Sequence, residues 1–320
     1  MLVMRKSQME TFEHLAVKRF EQGLHDHLRN FFPRHVAVLG EAWLSRMVRY
    51  SVQRAESRCL ETERGIYLYV ALMFMLGSRF DEDPQFPWAL RETETAAPVS
   101  PPSQAVSAAV AKAGETVSGQ EDAMPQETAG ARIERIYGQA MVFLDQAVGP
   151  DNALLQQSLN LFRQLQAFDS LPDTPSVGHR LLLSLQMLAP EKYRLLGEKP
   201  LRQTIRHGYE NAKRHGLGNE RDIMHYLALV FLLGSGFDND PLYPWAATVL
   251  KEAEPAQKGA ALREAALKYL VKYPPGCTRR AEQSAVALAK AAKPYRRIIE
   301  ASPAPLPSPV TPVLPNKVDG

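Results

Sequence analysis

Two short acidic loops hold the residues of this chain that are best placed to do chemistry. Each reads Gly-Ser-x-Phe-Asp-x-Asp-Pro-x-x-Pro-Trp-Ala, and the loops lie 157 residues apart, so that Trp88 corresponds to Trp245. Paired carboxylates of this kind could supply oxygen ligands to Ca²⁺ or Mg²⁺, as in a divergent metal-dependent helical enzyme such as a hydrolase. The motif residues are Gly77, Phe80, Asp81, Asp83, Pro84 and Trp88, and then Gly234, Phe237, Asp238, Asp240, Pro241 and Trp245.

A structural role for these loops explains the same residues with fewer requirements. A hexadentate calcium loop needs more oxygen ligands and a glycine of its own, and the motif has neither. The glycine ends a helix, the Asp side chains can accept backbone N–H bonds in Asx-type turns, and the prolines stiffen the exit. The Phe and Trp side chains would pack the turn onto the rest of the fold. We therefore predict a structural loop, with no metal and no cofactor.

The remaining reactive side chains form no recognisable catalytic arrangement. His25 and His27 are two residues apart and cannot share a helix face. The chain has no HExxH, no Cys/His zinc spacing and no GxSxG elbow. The histidines in one half of the chain have no histidine at the equivalent position in the other half. His207, His215 and His225 align with Tyr50, Arg58 and Leu68. We predict no catalytic residue, and a protein that is not an enzyme.

Basic residues cluster on one predicted helix in each half of the chain. They are Arg46, Arg49, Arg54 and Arg58, and then Arg202, Arg206, Lys213 and Arg214. The favoured interpretation is a solvated helix face balanced by acidic neighbours such as Glu61, Glu63 and Glu220. The alternative is a face for a partner, and a protein fits better than nucleic acid because no aromatic residues interleave with the charges. The candidate interaction face is Arg46, Arg49, Arg202 and Arg206.

Many of these residues belong to an internal sequence repeat. Residues 39–89 align without a gap to residues 196–246, and 24 of the 51 aligned positions are identical. A repeat of this length indicates a duplicated domain, in contrast to a solenoid of short units.

Apolar spacing predicts that both repeats are helical. In residues 6–32 apolar side chains recur every three or four positions up to Pro33, and the counterpart ends at Pro190. Thr62 and Asn219 are placed as N-caps, and Gly77 and Gly234 as left-handed residues that end a helix. No alternating run of strand length competes. The sequence predicts an all-α protein with two homologous helical domains.

Composition divides the chain further. Residues 96–130 contain no aromatic residue and are predicted to be a flexible linker, and the last twenty residues hold six prolines. The predicted segments are a first repeat (1–95), the linker (96–130), the last helix of that repeat (131–150), a second repeat (151–275), a C-terminal helix (276–300) and a disordered Pro-rich tail (301–320).

Overall composition is that of an ordinary globular protein. Hydrophobic residues make up 45% and charged residues 23%, and the formal net charge of +3 is too small to argue for nucleic acid. The two cysteines make no disulfide framework, which fits a reducing compartment. Neither an apolar signal segment nor a membrane span is apparent, so we expect a cytoplasmic protein with no membrane partner.

The motifs resemble a known group of bacterial proteins. The start Gln8-Met9-Glu10-Thr11-Phe12, the Leu39-Gly40-Glu41 segment and the run from Leu76 to Pro84 with Pro87-Trp88-Ala89 look like the helical accessory proteins of type VI secretion gene clusters. Those proteins are encoded beside an effector, its PAAR-type tip protein and an adaptor or chaperone, and some act as co-chaperones that help load the effector. The resemblance covers the two repeats and implies no site residues.

The sequence and the resemblance together favour a non-enzymatic adaptor. The leading hypothesis is a co-chaperone that assists the stability or loading of a type VI secretion effector, with the effector or its chaperone as partner. One alternative is an immunity protein that neutralises a toxin. The other is the divergent metal-dependent enzyme described above.

Overall fold

The computed structural model describes residues 6–89, 127–164 and 176–272, and over these residues the protein is all-α, with helices and no strand. The fold class predicted from the sequence is confirmed. The helices are α1 (Lys6–Phe31), α2 (Pro33–Leu39), α3 (Glu41–Ser57), α4 (Glu63–Leu76), α5 (Ala129–Val148), α6 (Ala153–Arg163), α7 (Val177–Leu188), α8 (Pro190–Leu196), α9 (Glu198–Arg214), α10 (Glu220–Leu233), α11 (Pro244–Glu252) and α12 (Lys258–Lys272). Short 3₁₀ turns occupy Phe80–Glu82, Pro150–Asn152 and Phe237–Asn239.

Helix boundaries recur at the offset of the sequence repeat. The bounds of α2, α3 and α4 reappear 157 residues later in α8, α9 and α10. The predicted caps are present, since Thr62 Oγ1 accepts from Gly65 N at 3.0 Å and Asn219 Oδ1 accepts from Asp222 N at 2.8 Å. Each cap satisfies a backbone donor that the first turn leaves without an intrahelical partner.

The glycines that end α4 and α10 differ from the prediction. Gly77 and Gly234 both have a φ of +106°, but their ψ values of 150° and 158° are extended. A left-handed helical cap would have ψ near +47°. This combination belongs to glycine almost alone. The prediction of a left-handed residue was therefore wrong in detail, and the extended ψ sends each loop straight across the end of the other repeat's helix.

One hydrophobic core runs through both repeats. Buried residues of α3 and α4 belong to the same cluster as those of α9 and α10. Helix α5 packs on α4 of the first repeat and also on α8 of the second. The two repeats are thus halves of one packed unit, and the boundaries of two separate domains stay a prediction.

Segment boundaries can be compared with the prediction only in part. Helix α5 begins at Ala129, because Thr128 Oγ1 caps it by accepting from Ala131 N at 3.2 Å. The predicted linker of 96–130 therefore extended too far, and its residues 96–126 lie outside the described residues. The predicted C-terminal helix (276–300) and Pro-rich tail (301–320) also lie outside them. Within the described ranges no helix combines the length and the apolar character that crossing a bilayer would need.

Candidate functional site: the paired Asp loops

The two Asp loops, residues 77–89 and 234–246, contact each other. A Cβ atom placed on Gly77 would lie 3.0 Å from the Leu233 carbonyl oxygen, and one on Gly234 would lie 3.1 Å from the Leu76 oxygen. Both distances are shorter than ordinary van der Waals contact. The glycines are therefore required for close backbone approach as well as for their positive φ.

One carboxylate of each loop binds the other loop. Ser235 N donates to Asp83 Oδ2 at 2.7 Å, and Ser78 N donates to Asp240 Oδ2 at 2.8 Å. The same Asp side chains close the turns that follow them, with Gln85 N donating to Asp83 at 2.9 Å and Leu242 N donating to Asp240 at 2.8 Å. The Asx-type turns predicted from the sequence are present at these two residues. The reciprocal contact between the loops was not predicted.

The two crossing carboxylates, Asp83 and Asp240, are both buried, and burial affects the pKa of each. Burial raises the pKa of Asp83, while hydrogen bonds from Ser235 and Gln85 and the charge of Lys192 oppose that rise. Burial likewise raises the pKa of Asp240, and the donors at Leu242 and Ser78 oppose it. The donors matter because a buried carboxylate without them would carry a large desolvation cost.

The other carboxylate of each loop stays within its own repeat. In the first repeat, Arg54 and Arg58 each reach Asp81 at 2.7 Å, and Tyr69 OH donates to it at 2.9 Å. In the second repeat, Tyr226 OH donates to Asp238 at 2.7 Å. These donors are side chains, and Asp238 also accepts a backbone hydrogen bond from its own N–H.

The two repeats pair this inner carboxylate with different bases. His215 Nε2 lies 2.7 Å from Asp238, at the position where the first repeat has Arg58. Burial acts against the charged form of Arg54, but Tyr69, Asp81 and Glu82 outweigh it and raise the pKa of this guanidinium. The Arg54 guanidinium therefore stays charged.

Lys192 is a candidate functional residue that was not predicted from the sequence. Its ammonium donates to the Phe231 carbonyl oxygen near the end of α10 and lies 4.8 Å from the Phe231 ring centroid. Burial lowers the pKa of Lys192 to about 8, and Asp83 opposes this shift. A cation at a helix C-terminus is stabilised by the free carbonyl groups there.

The cavity beside Lys192 is small. Its volume is about 70 Å³ and its lining is mostly aromatic and aliphatic, with His35 at the position equivalent to Lys192. A cavity that admits benzene is about 150 Å³. We therefore assign Lys192 to helix capping. One feature of the sequence could have pointed to Lys192. His35 and Lys192 each lie two residues after the proline that begins a short helix.

The aromatic residues of the loops pack them as predicted. Phe80 and Phe237 are buried, and Trp88 and Trp245 are half-buried against the core. Trp88 lies 5.5 Å from Phe86, and Trp245 lies 5.5 Å from Tyr269, between ring centroids. Pro84 and Pro241 begin the turn after the second Asp, and the Pro241 carbonyl accepts from Trp43 Nε1 at 2.6 Å. These contacts fix the loops to both repeats.

The geometry of the carboxylates suits a joint between the repeats. Within each loop the two carboxylates have different partners, so they do not converge on a common point. In residues 6–89, 127–164 and 176–272 no group of three or more His, Cys, Asp or Glu side chains is placed to hold a metal ion.

The basic residues divide into two groups. Arg46, Arg49, Arg202 and Arg206, which form the candidate interaction face, are exposed. Arg54 and Arg58 are not a solvated face, because both are bound to the buried Asp81. The solvated interpretation was wrong for these two residues, since an Asp distant in sequence folds back onto them.

Comparison with known proteins identifies no relative: no family model, no curated protein and no solved structure matches this chain.

Proposed function

We propose that this protein is a non-enzymatic, cytoplasmic adaptor that binds protein partners, and that it acts as a co-chaperone for the stability or loading of a type VI secretion effector. The secretion context rests on the sequence resemblance. The partner is the effector, its chaperone, or both. The Asp loops act in this proposal as the joint that holds the two repeats together.

The observation that carries the proposal is how the charged residues are distributed. The acidic side chains of the loops have internal hydrogen-bond donors, whereas Arg46, Arg49, Arg202 and Arg206 project from the surface. Arginine is enriched at protein interfaces because its planar guanidinium makes several directed hydrogen bonds at once. A surface of this kind supports binding better than it supports catalysis.

Deletion of the gene tests the proposal in the native host. We expect the amount or delivery of one secreted effector to fall, while the secretion apparatus and its other cargo keep working. Complementation with the full chain should restore delivery. A chain carrying Arg49→Glu and Arg206→Glu, if it folds, should restore less, because both changes reverse charge on the proposed face.

Two other outcomes would replace the proposal. Unchanged effector level and delivery, with cells poisoned by toxin-bearing siblings, would identify an immunity protein. An activity that the purified chain restores without partners would identify an enzyme.

A further inference from the structure

An open groove lies between α7 and α9 on the second repeat. Its volume is about 360 Å³ and its lining is mostly apolar, with Arg202, Arg206 and Glu210 as its charged residues. Val177 and Tyr209 line it and are 41% and 36% exposed, which places them among the few large apolar side chains the described residues leave in solvent. Exposed apolar surface beside charged residues is typical of a binding site.

The first repeat shows the same positions covered. Phe20 and Val52 correspond to Val177 and Tyr209, and they are only 5% and 9% exposed. Helix α1 begins 14 residues before Phe20, at Lys6, whereas α7 begins at Val177 itself. The repeat framework thus carries an apolar strip between these two helices, and only the second repeat presents that strip to solvent.

Charge selects among the possible occupants. Helix α9, which forms one wall, carries five Lys or Arg residues and two Glu residues. Arg202 is paired with Glu198 at 2.6 Å, and Lys213 lies 5.7 Å from the Tyr209 ring centroid. The chain's own segment 276–300 carries six basic and two acidic residues, so it would be repelled. An acidic segment would be attracted.

We propose that this groove binds an acidic amphipathic helix of a partner protein. Apolar residues on one face of the helix would cover Val177 and Tyr209, and carboxylates along its edge would meet Arg202 and Arg206. Helix-in-groove recognition of this kind reads apolar anchors at positions i, i+3, i+4 and i+7. The inference rests on the proposed adaptor function and specifies the chemistry of its partner.

Site-specific photocrosslinking in the native host tests this directly. The photoreactive amino acid benzoylphenylalanine replaces Tyr209 in the full chain, and, as a control, it replaces the 60% exposed Val142 on α5. We expect position 209 alone to give an adduct in which the partner peptide is net acidic and has apolar residues at helical spacing. A synthetic copy of that peptide should bind the purified chain.

A matched pair of charge reversals completes the experiment. Arg206→Glu should weaken binding of the peptide by about tenfold, because an attraction at the rim becomes a repulsion. Arg19→Glu makes the same change at an exposed position of α1 outside the proposed face, and should change binding by less than about twofold. Equal melting temperatures for both variants and the parent protein would show that folding is intact.

The other outcomes overturn the inference and separate it from the proposed function. A crosslink from position 209 to residues 165–175, to a second copy of this chain, or to a basic or non-helical peptide would give the groove a different occupant. Equal effects of the two charge reversals would show that the groove is not the binding site. If gene deletion still lowers effector delivery in these cases, the adaptor function stands without the groove. Unchanged delivery would remove the adaptor function itself.

Discussion

His27 shows how a single buried side chain makes this fold sensitive to pH. It is 4% exposed, and its ring centroid lies 4.7 Å from that of Phe31 and 5.2 Å from that of Tyr67. Burial lowers the pKa of His27 to about 4, from an ordinary value of 6.5. Between these values the unfolded chain binds a proton that the folded chain does not, so stability is lost as the pH falls.

We predict that replacing His27 with Phe removes this part of the pH dependence. Lowering the pH from 7 to 4.5 should cost the parent protein about 2–3 kcal/mol more than it costs His27→Phe, since each unit of pKa shift is about 1.4 kcal/mol. Urea unfolding at the two pH values measures the difference. The exposed His207→Phe is the control and should behave like the parent, and an equal pH slope in His27→Phe would contradict the prediction.

The backbone conformation of a single residue, Cys59, gives a second test. Its φ is +59°, a left-handed value, and the equivalent residue of the second repeat is Gly216 with a φ of +82°. A left-handed conformation costs a side chain about 1–2 kcal/mol, and glycine avoids this cost while losing more entropy on folding. We expect Cys59→Gly to raise the free energy of unfolding by up to about 1 kcal/mol.

Cys59→Ser separates the backbone from the thiol. The serine has the same backbone strain, so it should leave stability unchanged in a urea titration. Equal stabilisation by both substitutions would mean that the thiol, and not the backbone angle, limits stability here.

At the scale of elements, the sequence predicts what is local. The long helices follow from apolar spacing, and the starts of α4 and α10 follow from Thr62 and Asn219, because a cap acts within three residues. The seven-residue helices α2 and α8 were not predicted, since about two helical turns leave too few positions to show a period. The hydrogen bond between Asp83 and Ser235 was not predicted either. The sequence of a loop does not show which N–H group will donate to its second carboxylate.

The crossing carboxylates, Asp83 and Asp240, are predicted to stabilise the contact between the two loops. Asp83→Asn should lower the free energy of unfolding by about 1–3 kcal/mol, because an amide N–H₂ would face a donor where an oxygen now accepts from Ser235 or Gln85. Asp240→Asn should cost a similar amount. Asp26→Asn, an exposed change of the same kind, is the control.

Added metal separates the joint from the alternative enzyme. Neither Ca²⁺ nor Mg²⁺ should raise the melting temperature of the parent protein. A saturable metal-dependent stabilisation that Asp83→Asn abolishes would contradict the structural role of the loops.

For the whole molecule, the shared core predicts one cooperative unfolding transition. Trp43 and Trp88 lie in the first repeat and Trp245 in the second, and these are the three tryptophans of the chain. Variants that keep only Trp88 or only Trp245 report on one repeat each. We expect their fluorescence to change at the same denaturant concentration, because burial continues across both repeats. Two separate transitions would show that the repeats fold independently.

Limited proteolysis gives a complementary measurement. The sequence predicts cleavage within residues 96–130, and we expect the fragments to stay together on gel filtration because α5 packs on both α4 and α8. In denaturant the same fragments should separate. Fragments that separate under native conditions would contradict a common core.

The reciprocal bonds between the loops have a consequence for how such a protein can change. Contacts of Asp83 with Ser235 and of Asp240 with Ser78 are those of an isologous interface, which a two-fold homodimer makes from identical chains. In a homodimer every substitution appears on both sides at once. A single chain holds both sides at high effective concentration and lets each be mutated alone. Equivalent positions such as Arg58 and His215 can then hold different residues, and one groove can stay uncovered, while the joint between the halves is kept.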